Sequence, residues 1–235
     1  MKLSLPLLFF ASLPAFAELK LPQFFSDGMV LQRDDSAKIW GWAKPGADIK
    51  VSLGDQALTA KTSKSGDWVV DFKGLKAAST GQILTVEGDG GKKEIKDVLV
   101  GEVWIASGQS NMEWRVASSD GAKEEIASAK DPLLRVFVSA NAATRAPQKD
   151  WNGTWNPTQP DKTGSFTAVG YYFGKELRKE LGVPVGIIEC AWGGKPVEAF
   201  TSMEALKALP EAKGVVERKE KALAAWNPKA AMENF

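Results

Sequence analysis

Val98-Leu99-Val100-Gly101-Glu102-Val103-Trp104-Ile105-Ala106 is a nearly continuous apolar run that stops at Ser107-Gly108-Gln109-Ser110-Asn111-Met112. A β-rich run without polar alternation has the pattern of a strand buried on both faces, the kind found in parallel sheets covered by helices. Downstream, Leu133 to Val138 is a second such run. Phe166, Val169, Gly170, Phe173, Leu177 and Leu181 then recur at spacings of three and four, which predicts a helix, with Gly182 and Pro184 as its stop. Val185 to Ala191 is a third buried strand and ends in Trp192-Gly193-Gly194. Thr201-Ser202-Met203-Glu204 has capping-box form, Pro210 breaks the helix it opens, and Glu211 to Trp226 continues as a charged helix. Strand, helix, strand, helix predicts a parallel α/β domain over residues 98–235.

Upstream of Val98 the period changes to two. Asp48-Ile49-Lys50-Val51-Ser52-Leu53 alternates polar and apolar strictly. Similar runs fall at Met29–Gln32, Lys38–Trp42, Leu58–Thr62, Trp68–Phe72 and Ile83–Val86, separated by turn signals such as Lys44-Pro45-Gly46 and Ser65-Gly66-Asp67. Residues 18–97 therefore read as a β-sandwich. Trp40, Trp42 and Trp68 serve as its core aromatics or as a sugar-binding platform. Trp151 to Lys162, rich in Asn, Thr and Pro, reads as a loop. Residues 1–17 have the form of an export signal: Lys2, an apolar stretch from Leu3 to Leu13, and Ala15-Phe16-Ala17 as an A-x-A cleavage pattern. The expectation is a protein exported to the periplasm or beyond it. No later stretch approaches the ~18 apolar residues that span a bilayer.

Composition narrows the chemistry. The 235 residues carry 30 basic against 29 acidic side chains, a net charge of +1, which argues against a nucleic-acid binder. One cysteine, Cys190, excludes an intrachain disulfide and any zinc site built on several cysteines. Histidine is absent from the 235 residues, so they contain no imidazole base or ligand. Ser110 lies where an open α/β sheet presents ligands, beyond the carboxyl end of a strand. Its hydroxyl is placed to be a nucleophile and its amide to face an oxyanion; a turn or capping serine would look the same. Gly193 and Gly194 offer backbone N–H groups at the end of another strand, as oxyanion donors or as a tight βα turn.

Gly108-Gln109-Ser110-Asn111-Met112-Glu113-Trp114 resembles the nucleophile block of the sialate O-acetylesterase family of SGNH hydrolases. Three other stretches agree with that family in order: Phe25 to Arg33 with Ile39-Trp40-Gly41-Trp42, Phe166 to Gly174, and Pro184-Val185-Gly186-Ile187-Ile188 through Trp192-Gly193-Gly194-Lys195-Pro196-Val197-Glu198-Ala199-Phe200. The resemblance implies a β-sandwich followed by an SGNH-type α/β domain, and a metal- and cofactor-free serine esterase acting on acetylated sialic acids or related sugars. Ser110 would be the nucleophile. The amides of Ser110 and of Gly194 or Gly193 would be oxyanion donors, and Gln109, Asn111 and Lys195 would border the substrate. Lys195 replaces the family's usual Thr or Ser and Phe200 its usual Trp. Lys195 would meet a sialic carboxylate or face water.

The family's catalytic Asp and His lie in a D-x-x-H block, preceded by Gln-Gly-Glu, and neither block occurs before Glu233-Asn234-Phe235. The α/β domain is thus expected to be incomplete and this fragment to lack activity, because a serine hydroxyl needs a base within hydrogen-bond reach. An esterase for acetylated xylan or another glycan, and a secreted carbohydrate-binding protein without catalysis, are the competing expectations. The oligomeric state is not encoded in these patterns.

Overall fold

The computed structural model describes residues 18–142, 144 and 147–226. The export signal read over residues 1–17 and the chain end at 233–235 lie outside the described residues.

Among the described residues, ten strands form two sheets. The larger has the order β4-β3-β6-β7-β10-β8-β9, with β1 (Val30–Gln32) pairing beside it on β7; β2 (Ser36–Trp42) and β5 (Asp67–Lys73) pair separately. β3 (Asp48–Leu53), β4 (Gln56–Lys61) and β6 (Ala78–Gly88) run antiparallel to their neighbours and form the wide layer of the sandwich. The strict alternation of β3 has its expected effect: Ile49, Val51 and Leu53 are buried, while Asp48 and Lys50 face solvent. Trp68 is a core residue, whereas Trp40 is half-buried against the core and Trp42 lines a surface groove.

One strand joins the two halves. β7 runs without interruption from Gly91 to Gly108. Its first part is antiparallel to β6, and from Glu102 to Gly108 it is parallel to β10 (Val185–Ala191). β10 in turn pairs in parallel with β8 (Asp131–Ser139), and β9 (Gly153–Thr158) closes the sheet antiparallel to β8. Arg135 on β8 stitches the halves together. Its buried guanidinium donates to the carbonyls of Gly28 and Asp97, at 2.8 and 2.7 Å, and pairs with the Asp97 carboxylate at 2.8 Å.

Three sequence expectations change. β9 lies within the stretch read as a loop. Its Asn156 and Pro157 are turn formers, but β9 ends the sheet, and an edge strand tolerates a missing N–H donor. The run from Val98 to Ala106 is not buried throughout: Val98, Leu99, Val100 and Ala106 are, while Trp104 and Ile105 are 45% and 70% exposed. Trp104 to Gly108 pairs on one side only among the described residues, with β10. Finally, past the short α3 (Pro160–Thr163), the helix α4 (Ala168–Leu181) ends at Gly182 in the left-handed conformation as expected, and Phe166, Gly170 and Leu177 face the core as expected, but Val169, Phe173 and Leu181 do not. Ala168, Gly170, Tyr171 and Gly174 point inward, while Val169 and Phe173 are exposed. The two glycines let the helix lie close on the sheet: a Cβ at Gly170 would come within 3.0 Å of the Ile187 side chain, and one at Gly174 within 2.7 Å of Leu134.

Candidate active site

The site forms where β7, β10 and β8 end together. β7 terminates in Gly108, whose φ of 149° lies in a region that favours glycine, and the chain turns there into the single-turn helix α1 (Ser110–Glu113). Ser110 opens α1 and is exposed, so its hydroxyl is accessible from the crevice. Among the described residues that hydroxyl has no hydrogen-bond partner. Gln109 caps the turn through its backbone, without a side-chain cap, and Gln109 and Asn111 are both exposed on either side of the serine. Met112 packs inward against the core beneath α4.

The second turn, Trp192-Gly193-Gly194, follows β10 directly. Because Ala191 pairs with Gly108 in the parallel register, the two turns begin at the same level of the sheet. The Trp192 N–H donates to the Gly108 carbonyl at 3.0 Å and closes the gap between them. Gly194 is left-handed, with φ of 72°. The two glycines differ in availability. Gly193 donates its N–H to Glu113 Oε2 at 2.7 Å, so it is engaged by a carboxylate rather than free for an oxyanion. The Gly194 N–H has no partner among the described residues. The sequence pattern offers Gly194 or Gly193 as the donor without separating them, and it gives Glu113 no role.

A cleft of about 430 Å³ adjoins the second turn, with Asn141, Trp151, Trp192, Lys195, Phe200 and Lys219 in its wall. Lys195 Nζ sits 4.4 Å from the centre of the Trp192 ring, a cation–π distance. Cys190 also reaches this cleft, and burial pushes its thiol pKa up, which suits an inert side chain rather than a nucleophile. Trp151, Lys219 and Asn141 carry no signal of this role in the sequence, since the wall is assembled from segments distant along the chain, Lys219 from the helix Lys213–Ala225.

Below the turn that carries Ser110, Glu189 on β10 is buried and pairs with Arg115, and its Oε2 accepts the Thr167 N–H at 3.3 Å. Burial raises the Glu189 pKa, and Arg115 works against that rise. Among the described residues no three His, Cys, Asp or Glu side chains are grouped to hold a metal ion, and no helix is long and apolar enough to cross a membrane. Taken as chemistry, the arrangement offers a reachable hydroxyl, amides from two facing turns and an aromatic, basic cleft.

Comparison with known proteins gives these residues a context. Residues 100–227 match the family described as carbohydrate esterase, sialic acid-specific acetylesterase. Sialate O-acetylesterase from Homo sapiens is 29% identical over 225 residues, covering 88% of this chain, and that from Rattus norvegicus is 31% identical over 208 residues, covering 80%. The chain spans 43% and 38% of those two relatives' lengths. A crystal structure of a carbohydrate acetylesterase from Xanthomonas citri superposes with a TM-score of 0.76 at 40% identity, over 83% of this chain and 45% of that one. Both turns of the site fall within the matched segment, and the chain belongs to the family of sialic acid-specific carbohydrate acetylesterases.

Proposed function

We propose that this chain carries the nucleophile and oxyanion part of an exported O-acetylesterase that removes acetyl groups from the hydroxyls of sialic acids or related sugars. Ser110 Oγ attacks the acetyl carbonyl as its proton passes to a base. The amides of Ser110 and Gly194 receive the oxyanion, the sugar hydroxyl departs with a proton, and water then releases acetate from the acetyl-serine. The observation that carries this reading is the exposed Ser110, set on the Gly108 turn directly across from Gly193-Gly194, with Trp192 N–H bonded to Gly108 O.

The 235 residues contain no histidine, so an imidazole base has to come from outside them, and this chain by itself is expected to turn over acetyl esters poorly. Gln109 and Asn111 flank the acetyl group and Lys195 contacts the sugar. The segment 1–17 directs export. A neutral acetylated glycan such as xylan is the second reading. The breadth of the description carried by the Xanthomonas citri relative, a carbohydrate acetylesterase 40% identical over the aligned part, supports testing it beside the first.

The test supplies imidazole as an external base and follows acetate release from O-acetylated sialic acid and from acetylated xylan, above an imidazole blank. Release from the sialic acid that disappears in Ser110→Ala supports the first reading, and release confined to xylan supports the second. Release that is equal in wild type and Ser110→Ala contradicts both. Binding of either sugar without any release would leave the chain a carbohydrate-binding protein.

A further inference from the structure

Glu113 shares a single helical turn with Ser110 but reaches across to the opposite lip of the crevice. Its Oε2 accepts the Gly193 N–H at 2.7 Å, and its Oε1 lies 3.4 Å from Asn141 Nδ2. One carboxylate therefore touches the segments that follow β7, β10 and β8. The strands are held in register by the sheet; the turns beyond them are not, and need ties of their own. Trp192 N–H to Gly108 O is one such tie, and Glu113 to Gly193 is another. A hydrogen bond to an ionised acceptor is roughly twice as strong as a neutral one. Packing around it is tight: a Cβ at residue 193 would lie 2.6 Å from Glu113 Oε2 and 3.6 Å from Ser110 Oγ. Glycine, carboxylate and hydroxyl are thus mutually fitted.

We propose that Glu113 is a positioning residue for the Ser110 reaction. By holding the Gly193 N–H it fixes the Trp192–Gly193 peptide plane, so that the left-handed Gly194 can turn its own amide to the oxyanion. It also removes Gly193 from the donor set. This inference rests on reading Ser110 as the nucleophile. A carboxylate turned onto a backbone amide does not confront the developing negative charge, which an untethered one at the same position would.

The test combines one readout that needs no turnover with one that does. Hydrogen exchange of the Gly193 amide is followed by NMR in the wild-type chain, Glu113→Gln, Glu113→Ala and Glu113→Asp. Imidazole-supported acetate release is measured in the same four proteins. Glu113→Gln keeps an acceptor of the same reach and should hold both properties within a few-fold. Glu113→Ala should speed Gly193 exchange on the order of tenfold or more and lower kcat by a similar factor, with KM little changed. Glu113→Asp keeps the charge but falls short of Gly193, so it should behave like Glu113→Ala and decides the matter if the alanine variant fails to fold. Unchanged exchange, or unchanged kcat, in a folded Glu113→Asp or Glu113→Ala whose turnover still depends on Ser110 would overturn the Glu113 assignment alone. Turnover indifferent to Ser110→Ala would overturn the esterase reading and the positioning role with it.

Discussion

Arg115 and Glu189 pair beneath the turn that carries Ser110, joining the segment that leaves α1 to the central strand β10. Arg115 Nη1 also donates to the Ser165 carbonyl at 2.9 Å, so a single guanidinium ties the turn after Ser110 to β10 and to the chain entering α4. The Glu189 side chain is 5% exposed and that of Arg115 36%, so the pair is sheltered mainly on the acidic side.

Removing Arg115 therefore leaves a buried carboxylate unpaired. Loss of one member of a fully buried pair costs about 3–5 kcal/mol; with Arg115 partly exposed, about 2–3 kcal/mol is expected for Arg115→Ala. At this chain length that lowers Tm by roughly 4–12 °C. Burial already raises the Glu189 pKa, and losing Arg115 raises it further. The deficit should accordingly be largest at neutral pH and shrink as the medium is acidified and Glu189 takes up a proton. Thermal melts at several pH values check both the size and the direction.

A second prediction concerns close approach of backbone to backbone. A Cβ at Gly101 would collide with the Pro184 carbonyl oxygen, which accepts the Glu102 N–H at 2.9 Å where β7 meets β10. At Gly174 the obstacle is the Leu134 side chain, 2.7 Å away, which can rotate. Gly174→Ala is expected to cost about 1–2 kcal/mol after the gain in helix propensity. Gly101→Ala should cost more, because backbone cannot yield without moving a strand. Urea denaturation of the two variants gives the ranking.

Much of this fold is legible in the chain, and the gaps have physical causes. The period-two stretch Asp48–Leu53 is a strand with those bounds, and Gly182 ends α4 where a left-handed residue is needed. β9 is hidden because Asn156 and Pro157 are compatible with a strand only at a sheet edge, which local pattern does not reveal. Val169 and Phe173 are misplaced by counting large apolar residues, when the close contact with the sheet is made through the small Gly170 and Gly174. In the site, Ser110 and the glycine turn stand out from strand ends and motif. The contact that distinguishes Gly193 from Gly194 joins residues 80 positions apart and left no trace in the sequence.

Acid stability should report the tie between α2 (Ala122–Ser128) and α4. Glu125 Oε1 accepts from Tyr171 Oη and Lys175 Nζ, each at 2.6 Å. Burial is the largest single influence on the Glu125 carboxyl and pushes its pKa up, but the hydrogen bonds from Lys175 and Tyr171, with the Lys175 charge, outweigh it and hold the carboxyl below the ordinary 4.5. A depressed carboxylate stabilises the fold above its unfolded pKa and loses that contribution as pH falls through the folded one. Wild type should therefore lose stability more steeply below pH 4.5 than Glu125→Gln does. Parallel acid slopes for the two proteins would contradict the assignment.

Lys195 supplies a prediction about substrate charge. Placed on Trp192 at the cleft, it should favour an acidic sugar over a neutral one. Lys195→Ala is expected to weaken binding of O-acetylated sialic acid by about fivefold, the equivalent of ~1 kcal/mol for a partly exposed ion pair, and to leave acetylated xylan fragments unaffected. Titrations with the two sugars under identical salt separate the cases.

The central claim is that Ser110 takes up the acetyl group. Peptide mass mapping after brief incubation with O-acetylated sialic acid and imidazole, followed by acid quenching, examines it directly. Acetyl found on Ser110 of the wild-type chain, and lost in Ser110→Ala together with acetate release, is the predicted result. Acetate released at the wild-type rate by Ser110→Ala, or release by the wild-type chain with acetyl confined to lysines, would contradict it.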